Sequence, residues 1–179
     1  MSENVILVDA DDNVIGTMNK MDAHLSGDLH RAFSIFIFNS KGELLLQQRA
    51  FDKYHSGGKW TNTCCSHPRL NEGTQAAAHR RLYEEMGMAC ELQYEFKFTY
   101  KALLTPKLIE HELDHVFFGI SDDLPSINEE EVSSFKYMNI KDLGTEIIQN
   151  PDAYTAWLQI CFPQVLEVYA KHFPAFDID

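Results

Sequence analysis

Two apolar runs joined by three small or polar residues do most to limit how this chain folds: "AFSIFIFN" (Ala32 to Asn39), then "SKG", then "ELLLQQR" (Glu43 to Arg49). Both are strand-length and rich in β-branched, aromatic or leucine side chains, and the short polar link predicts a β-hairpin. A long stretch from Phe51 to Gly73 follows, with Gly57, Gly58, Pro68 and Gly73 and little apolar periodicity. A loop of that length inside a compact domain is usually functional. "TQAAAHRRLYEEMG" then predicts a helix capped by Thr74 and ended by Gly87, and strands are expected over Leu92 to Ala102 and Leu113 to Ile120. "IKDLGTEIIQN" and "AYTAWLQICFPQVLEVYAKHF" carry apolar residues at helical spacing, with Pro163 expected to kink or break the second. Strands first, one helix inserted among them and helices last predict an α/β sandwich with a mixed sheet.

The 179 residues, 45% of them hydrophobic, suffice for one domain with a full core, expected over 1–179. A formal net charge of −12 argues against nonspecific binding to nucleic acid or to acidic membranes, although a local basic patch can still grip a small anion. No apolar run approaches the roughly 20 residues of a membrane helix, and no repeat or low-complexity segment is present. The start "MSENVILVDADDN" is acidic and lacks a basic region leading into an apolar one, so no signal peptide is expected.

The four cysteines include an adjacent pair in "TNTCCSHP" (Thr61 to Pro68). Neighbouring cysteines close a strained ring, whereas disulfides want Cα atoms roughly 4.4 to 6.8 Å apart. Cys90 and Cys161 lie far off without zinc-type spacing. Thiol chemistry in a reducing, cytoplasmic setting is expected.

On the predicted helix, Glu72, Arg80, Leu82, Glu84, Glu85 and Gly87 resemble the Nudix signature. Two positions depart from it. Ser66 stands where the first glycine belongs, and Arg81 replaces the glutamate that Nudix hydrolases use beside the arginine to help hold magnesium. A plainer reading makes Arg80 with Glu84, and Arg81 with Glu85, exposed pairs four residues apart, each stabilising the helix by about 0.2 to 0.5 kcal/mol.

A second constellation consists of His24 and His30 in "HLSGDLHRAF", His67 in the cysteine loop, and Glu110 and Glu112 in "EHE". Together they are chemically compatible with one divalent ion. Strand alternation puts Glu110 and Glu112 on one face with His111 opposite, and Asp114 shares that face as an alternative ligand.

Taken with these residues, "HRAFSIFIFN", "LLLQQRAFDK", "GKWTNTCCSHP", "RRLYEEMG", "EHELDHVFFG" and "AYTAWL" are similar to type I isopentenyl diphosphate isomerases in joint order and spacing, over roughly Val5 to Tyr169. The resemblance implies a Nudix-type α/β/α sandwich with a mixed sheet, in which an N-terminal segment of about 1–30 supplies metal ligands. It implies interconversion of isopentenyl and dimethylallyl diphosphate in isoprenoid biosynthesis, by protonation and deprotonation through a tertiary carbocation. Cys65 and Glu112 match the two proton-transfer residues, and Cys64 is then a spare thiol that packs as a small apolar residue. An ordinary carboxylic acid is a poor acid toward an alkene; Tyr100 matches the tyrosine that hydrogen-bonds the glutamate, and a metal at His24, His30, His67, Glu110 and Glu112 shifts its acidity. That ligand set suits Mg2+, Mn2+ or Zn2+. Trp157 matches an indole facing the cation, although helical spacing with Tyr154, Leu158 and Cys161 also fits core packing. Lys20, Arg49, Lys53 and Arg80 match contacts to the diphosphate, and Glu85 a ligand of Mg2+ bridged to it; Arg81 adds a phosphate contact or merely pairs with Glu85. The expected partner is a small isoprenoid diphosphate, with no nucleic acid or membrane, and the chain is expected to be a monomer. The rival readings are a Nudix hydrolase of a small diphosphate, which Arg81 disfavours, and a non-enzymatic domain with a structural metal site, normally four-coordinate and closed.

Overall fold

The computed structural model describes residues 4–174, so the termini of the expected 1–179 domain lie outside the described residues. A hairpin of β1 (Asn4–Val8) and β2 (Val14–Asn19) leads into a short helix α1 (Lys20–Ser26). Next come β3 (His30–Phe38) and β4 (Glu43–Arg49), then two very short strands, β5 (Trp60–Thr61) and β6 (Cys64–Ser66). Helix α2 (Thr74–Met86) precedes the long strands β7 (Gln93–Thr105) and β8 (Leu108–Ile120). β9 (Val132–Asn139), α3 (Ile140–Gln149), a single 3-10 turn (Pro151–Ala153) and α4 (Ala156–His172) complete the chain.

β3 organises the sheet. One edge runs parallel to β8 from His30↔Glu112 to Phe38↔Ile120. The other edge is shared in turn by β1 at His30, by β6 at Phe33 to Ile35, and by β4 at Phe38, all antiparallel. The expected hairpin is therefore closed only at its turn, Phe38↔Leu44, and β4 takes β9 as its partner instead. β6 fills the opening.

Alternation along β3 divides the core. Phe36 and Phe38 join α3 and α4 on one face, whereas Phe33, Ile35 and Ile37 pack with Ala77, Ala78, Leu82 and Met86 of α2 on the other. This is the expected α/β/α sandwich with a mixed sheet.

Four local expectations are corrected. The loop from Phe51 to Gly73 contains β5 and β6. Gly73, not Thr74, occupies the N-cap of α2 and gives no side-chain bond, whereas Gly87 ends the helix in the left-handed conformation at φ 62°. β8 begins at Leu108, five residues before Leu113, because the polar Glu110 and Glu112 are buried strand residues. Pro163 neither ends nor interrupts the helix: it lies inside α4 on the exposed side, where water can take the hydrogen bond that Pro163 denies the carbonyl of Gln159.

Thr61, Asn62 and Thr63, all fully buried, fill the split between β3 and β4. The Thr63 hydroxyl accepts from the Ile37 amide at 2.9 Å and donates to the Leu45 carbonyl at 2.6 Å, bridging the strands that no longer pair. Gln47 Nε2 donates to the Thr63 carbonyl at 2.9 Å, and Asn62 Nδ2 donates to the carbonyls of Cys64 and Ile35 at 2.9 and 3.2 Å. Replacing Thr63 by valine keeps the volume but leaves a buried N–H and C=O without partners. Thr63→Val should therefore cost about 2 to 4 kcal/mol and lower Tm by roughly 4 to 16 °C, whereas Thr63→Ser keeps the hydroxyl and most of the stability. A thermal melt in which the valine variant matches the parent contradicts this role.

Candidate active site

The bridge fixes β6, and β6 separates the neighbouring cysteines. Cys64 pairs with Ile35 and is fully buried with the α2 core. Cys65 pairs with Ser34, faces the other side of the sheet, and lines a small cavity. Lys20, Arg49, His55, His67, Glu110, Glu112 and Trp157 also line it. Glu112 reaches this space from the opposite edge of β3, through the His30↔Glu112 register. A thiol and a carboxylate thus enter one cavity from strands on either side of β3.

Glu112 sits in a dense polar cluster. Its Oε2 accepts from the Tyr100 hydroxyl at 2.6 Å, and its Oε1 lies 2.9 Å from His67 Nε2. His30 Nε2 lies 3.4 Å from the same Oε1. His24, on α1, completes a buried group whose ligand atoms all lie within 4.8 Å of one another: His24, His30, His67 and Glu112. The sequence builds the approach of His24 locally. The Asn19 side chain accepts from the Met21 amide to start α1, and Gly27 ends it at φ 74°.

Protonation favours a cation here. Burial pushes His24 and His67 down to about 4, so both are neutral near pH 7 and can act as ligands. Of the paired carboxylates, Glu110 is held up by burial and by the charge of Glu112, while burial of Glu112 is outweighed by the neighbouring His30 and His67 imidazoles, which hold its carboxyl low. His30 Nδ1 lies 2.9 Å from the Asp28 carbonyl, which can only accept, so Nδ1 carries a proton. That leaves Nε2 as the ring atom facing the Glu112 carboxylate, 3.4 Å away. His24 Nε2 and His30 Nε2 are buried without hydrogen-bond partners. Two unsatisfied imidazole nitrogens beside a carboxylate fit a divalent ion, and these four side chains would hold it.

The other expected ligands stand slightly apart. Glu110 lines the same cavity with Oε2 unpaired, but it is not part of the tight group. Asp114, the alternative ligand, instead accepts from Ser34 Oγ at 2.7 Å. Trp157 lines the cavity, donates through Nε1 to Asn62 Oδ1 at 3.2 Å, and carries the Arg49 guanidinium 5.3 Å from its ring centroid. Its indole already faces a cation. Burial pushes the Cys65 thiol and the Tyr100 hydroxyl up, so both keep their protons.

Beside this cavity opens a wider one that shares Lys20, Arg49, Cys65 and Ser66 with it. Five cations line it, Lys20, Arg49, Lys53, Arg69 and Arg81, against two carboxylates, Glu85 and Glu131. The excess of positive charge suits an anion. Arg80, expected to face the diphosphate, lines neither cavity. It donates to both oxygens of Glu72 at 2.6 and 2.8 Å and to Glu84 at 3.0 Å. One step along the helix turns the side chain by about 100°, and Arg81 takes the inward position. There it donates to Glu84 at 2.9 Å and Glu85 at 2.5 Å, and although burial opposes its charge, the Glu85 carboxylate keeps it protonated. Glu85 also accepts from Gln47 at 3.0 Å.

Residues the sequence reading missed come from the loop it marked as functional. His55 is buried, edge-on to Trp157 at 6.2 Å, with Nε2 3.9 Å from Glu110 Oε1. Tyr54 lies 2.8 Å from His24 Nδ1. The loop is tight: a Cβ on Gly57 would lie 2.6 Å from the Phe51 carbonyl oxygen, and Gly58 adopts φ +75°. Clustered glycines were the available signal; nothing in the pattern pointed to His55.

A NUDIX domain model matches residues 28–158. The isopentenyl-diphosphate Delta-isomerase of Pectobacterium atrosepticum is 53% identical over 161 residues, 90% of each chain. That of Serratia proteamaculans is 55% identical over 157 residues, 88% of each chain. Among solved structures, a Deinococcus radiodurans protein superposes with TM-score 0.76 at 19% identity, covering 90% of this chain and 98% of that one. A MutT protein from Methanosarcina mazei does so with TM-score 0.63 at 18% identity, covering 80% and 94%. The structural likenesses establish the fold; the sequence relatives go further, and by their identity and coverage the chain belongs to the isopentenyl-diphosphate Delta-isomerase family, on a NUDIX fold.

Proposed function

We propose that this protein interconverts isopentenyl and dimethylallyl diphosphate, with Cys65 and Glu112 as its two proton carriers. The observation that carries the reading is a thiol and a tyrosine-bonded carboxylate entering one cavity from opposite edges of β3, next to a basic cavity. The reaction adds a proton at the terminal carbon of the alkene, leaves a tertiary cation, and removes a proton from the carbon nearer the diphosphate. One carrier delivers and the other removes, and the reverse direction exchanges their roles. Tyr100 holds Glu112 in line through its hydroxyl, and Glu110 lies alongside. The Trp157 ring face offers electron density to the cation, with its orientation fixed by Asn62.

Lys20, Arg49, Lys53 and Arg81 grip the diphosphate; Arg80, occupied by Glu72 and Glu84, takes no part. Divalent metal at His24, His30, His67 and Glu112, with Glu110 in reach, supplies positive charge that shifts the acidity of Glu112; Mn2+, Mg2+ and Zn2+ all suit the donors. Glu85 is the carboxylate for Mg2+ carried in with the diphosphate. The four cysteines are free, which supports a reducing setting, and among the described residues no helix is long and apolar enough to cross a membrane. The hydrolase alternative gains no support, because Arg81 pairs with both Glu84 and Glu85 of the Nudix box.

Incubation with isopentenyl diphosphate and divalent metal, followed by proton NMR and a phosphate assay, tests the reading. Dimethylallyl diphosphate should form without phosphate release, and chelation should abolish turnover until metal is restored. Phosphate release without isomer, or full turnover in chelated enzyme, contradicts it.

The adjacent thiols provide an internal control. Removing one acid–base group usually costs about 100- to 10,000-fold in rate, so Cys65→Ser should fall in that range. Cys64 packs in the α2 core beside Glu85 and lines neither cavity, so Cys64→Ala should keep turnover within a few-fold while lowering thermal stability. Equal rate losses in the two variants would remove Cys65 from its role.

A further inference from the structure

The three imidazoles of the metal group differ in what holds their other nitrogen. His30 Nδ1 is fixed by a backbone carbonyl, that of Asp28. His67 Nδ1 is buried without a hydrogen-bond partner. His24 Nδ1 lies 2.8 Å from the Tyr54 hydroxyl, a side chain from the loop between β4 and β5. His24 is fully buried and its Nε2, the atom offered to the centre, has no partner of its own. A ligating imidazole must bring a lone pair, so its opposite nitrogen carries the proton and needs an acceptor.

We propose that Tyr54 is a positioning residue for the metal centre. Its hydroxyl oxygen accepts the Nδ1 proton of His24, which selects the tautomer with a lone pair at Nε2 and stops the ring from rotating. This rests on the metal reading above. Ring packing supports the constraint: Tyr54 lies edge-on to His55 at 4.4 Å, and His55 in turn lies edge-on to His24 at 5.6 Å. The backbone behind them is held by the tight turn at Gly57 and Gly58.

Position in the loop gives this contact a further consequence. Tyr54 is 42% exposed and lines the basic cavity, and Lys53, immediately before it, lines the same cavity and pairs with Glu131. Consecutive residues therefore face the basic cavity and His24.

The test is Co2+ affinity, followed by the visible absorption that reports nitrogen ligation, in the parent, Tyr54→Phe and His67→Ala. Loss of a hydrogen bond that orients a ligand typically weakens metal binding about 10- to 100-fold, and Tyr54→Phe should fall in that range. Its metal-free thermal midpoint and circular dichroism should match the parent, which separates positioning from a general structural role. Unchanged Co2+ affinity in Tyr54→Phe, with His67→Ala impaired, overturns this inference and leaves the metal site standing. Weaker binding accompanied by an equally weakened metal-free fold also overturns it. Failure of the parent to bind Co2+ overturns the metal reading, and the inference with it.

Discussion

The hydroxyl of Thr63 spans a gap that a tighter hairpin would have closed, accepting from the amide of Ile37 and donating to the carbonyl of Leu45. With β3 and β4 held apart, β6 can pair with the exposed edge of β3. That pairing gives adjacent cysteines opposite surroundings, one under α2 and one in the cavity. The same short stretch continues through Asn62 to Trp157, and Thr61 Oγ1 meets Thr155 Oγ1 at 2.8 Å just before α4. A few buried hydrogen bonds thus set the thiol, the indole and the start of α4 relative to one another. Such a network is worth most when each member is satisfied, because an unpaired buried group costs more than a made bond gains.

Electrostatics divides the interior into two regions of different chemistry. Around Glu112, burial keeps His24 and His67 neutral, while a second carboxylate, Glu110, is driven toward its protonated form. This region concentrates lone pairs and asks for a cation. The neighbouring cavity is lined by lysines and arginines, with Arg81 held charged by the Glu85 carboxylate. The basic cavity suits an anionic head, and the Trp157 and Phe33 rings that line the first cavity suit an apolar tail beside the cation-seeking group. At position 81 an arginine stands where the Nudix pattern has a glutamate, and it adds a positive charge to the lining of the basic cavity.

Legibility in the sequence followed burial pattern. β3, β4, α2 and α3 were apparent because their apolar residues repeat at strand or helix spacing. β2 was not: its residues are exposed or half-buried and it pairs only with β1, so no alternation marks it. The apolar pattern started β8 only at Leu113 because Glu110 and Glu112 are polar; their alternation alone marked them as strand residues. In the site itself, alternation correctly grouped Glu110 and Glu112, and the order of motifs brought His24, His30, His67, Cys65 and Trp157 together. Arg80 was misplaced because a motif cannot tell which of two adjacent arginines meets Glu72. Tyr54 and His55 left no trace because an irregular loop has no period.

The central claim is that two separate groups, on either side of β3, carry the proton in and out. Isopentenyl diphosphate deuterated only at the carbon beside the diphosphate-bearing carbon, converted in ordinary water, reads this directly. The account predicts that the one hydrogen added to make the new methyl group of dimethylallyl diphosphate comes from solvent, beside the two already on that carbon, since the deuteron removed by one carrier never reaches the other during a turnover. Deuterium found in that methyl group would mean that a single group shuttles the proton across the substrate, and would contradict the assignment of Cys65 and Glu112 to opposite ends of the reaction.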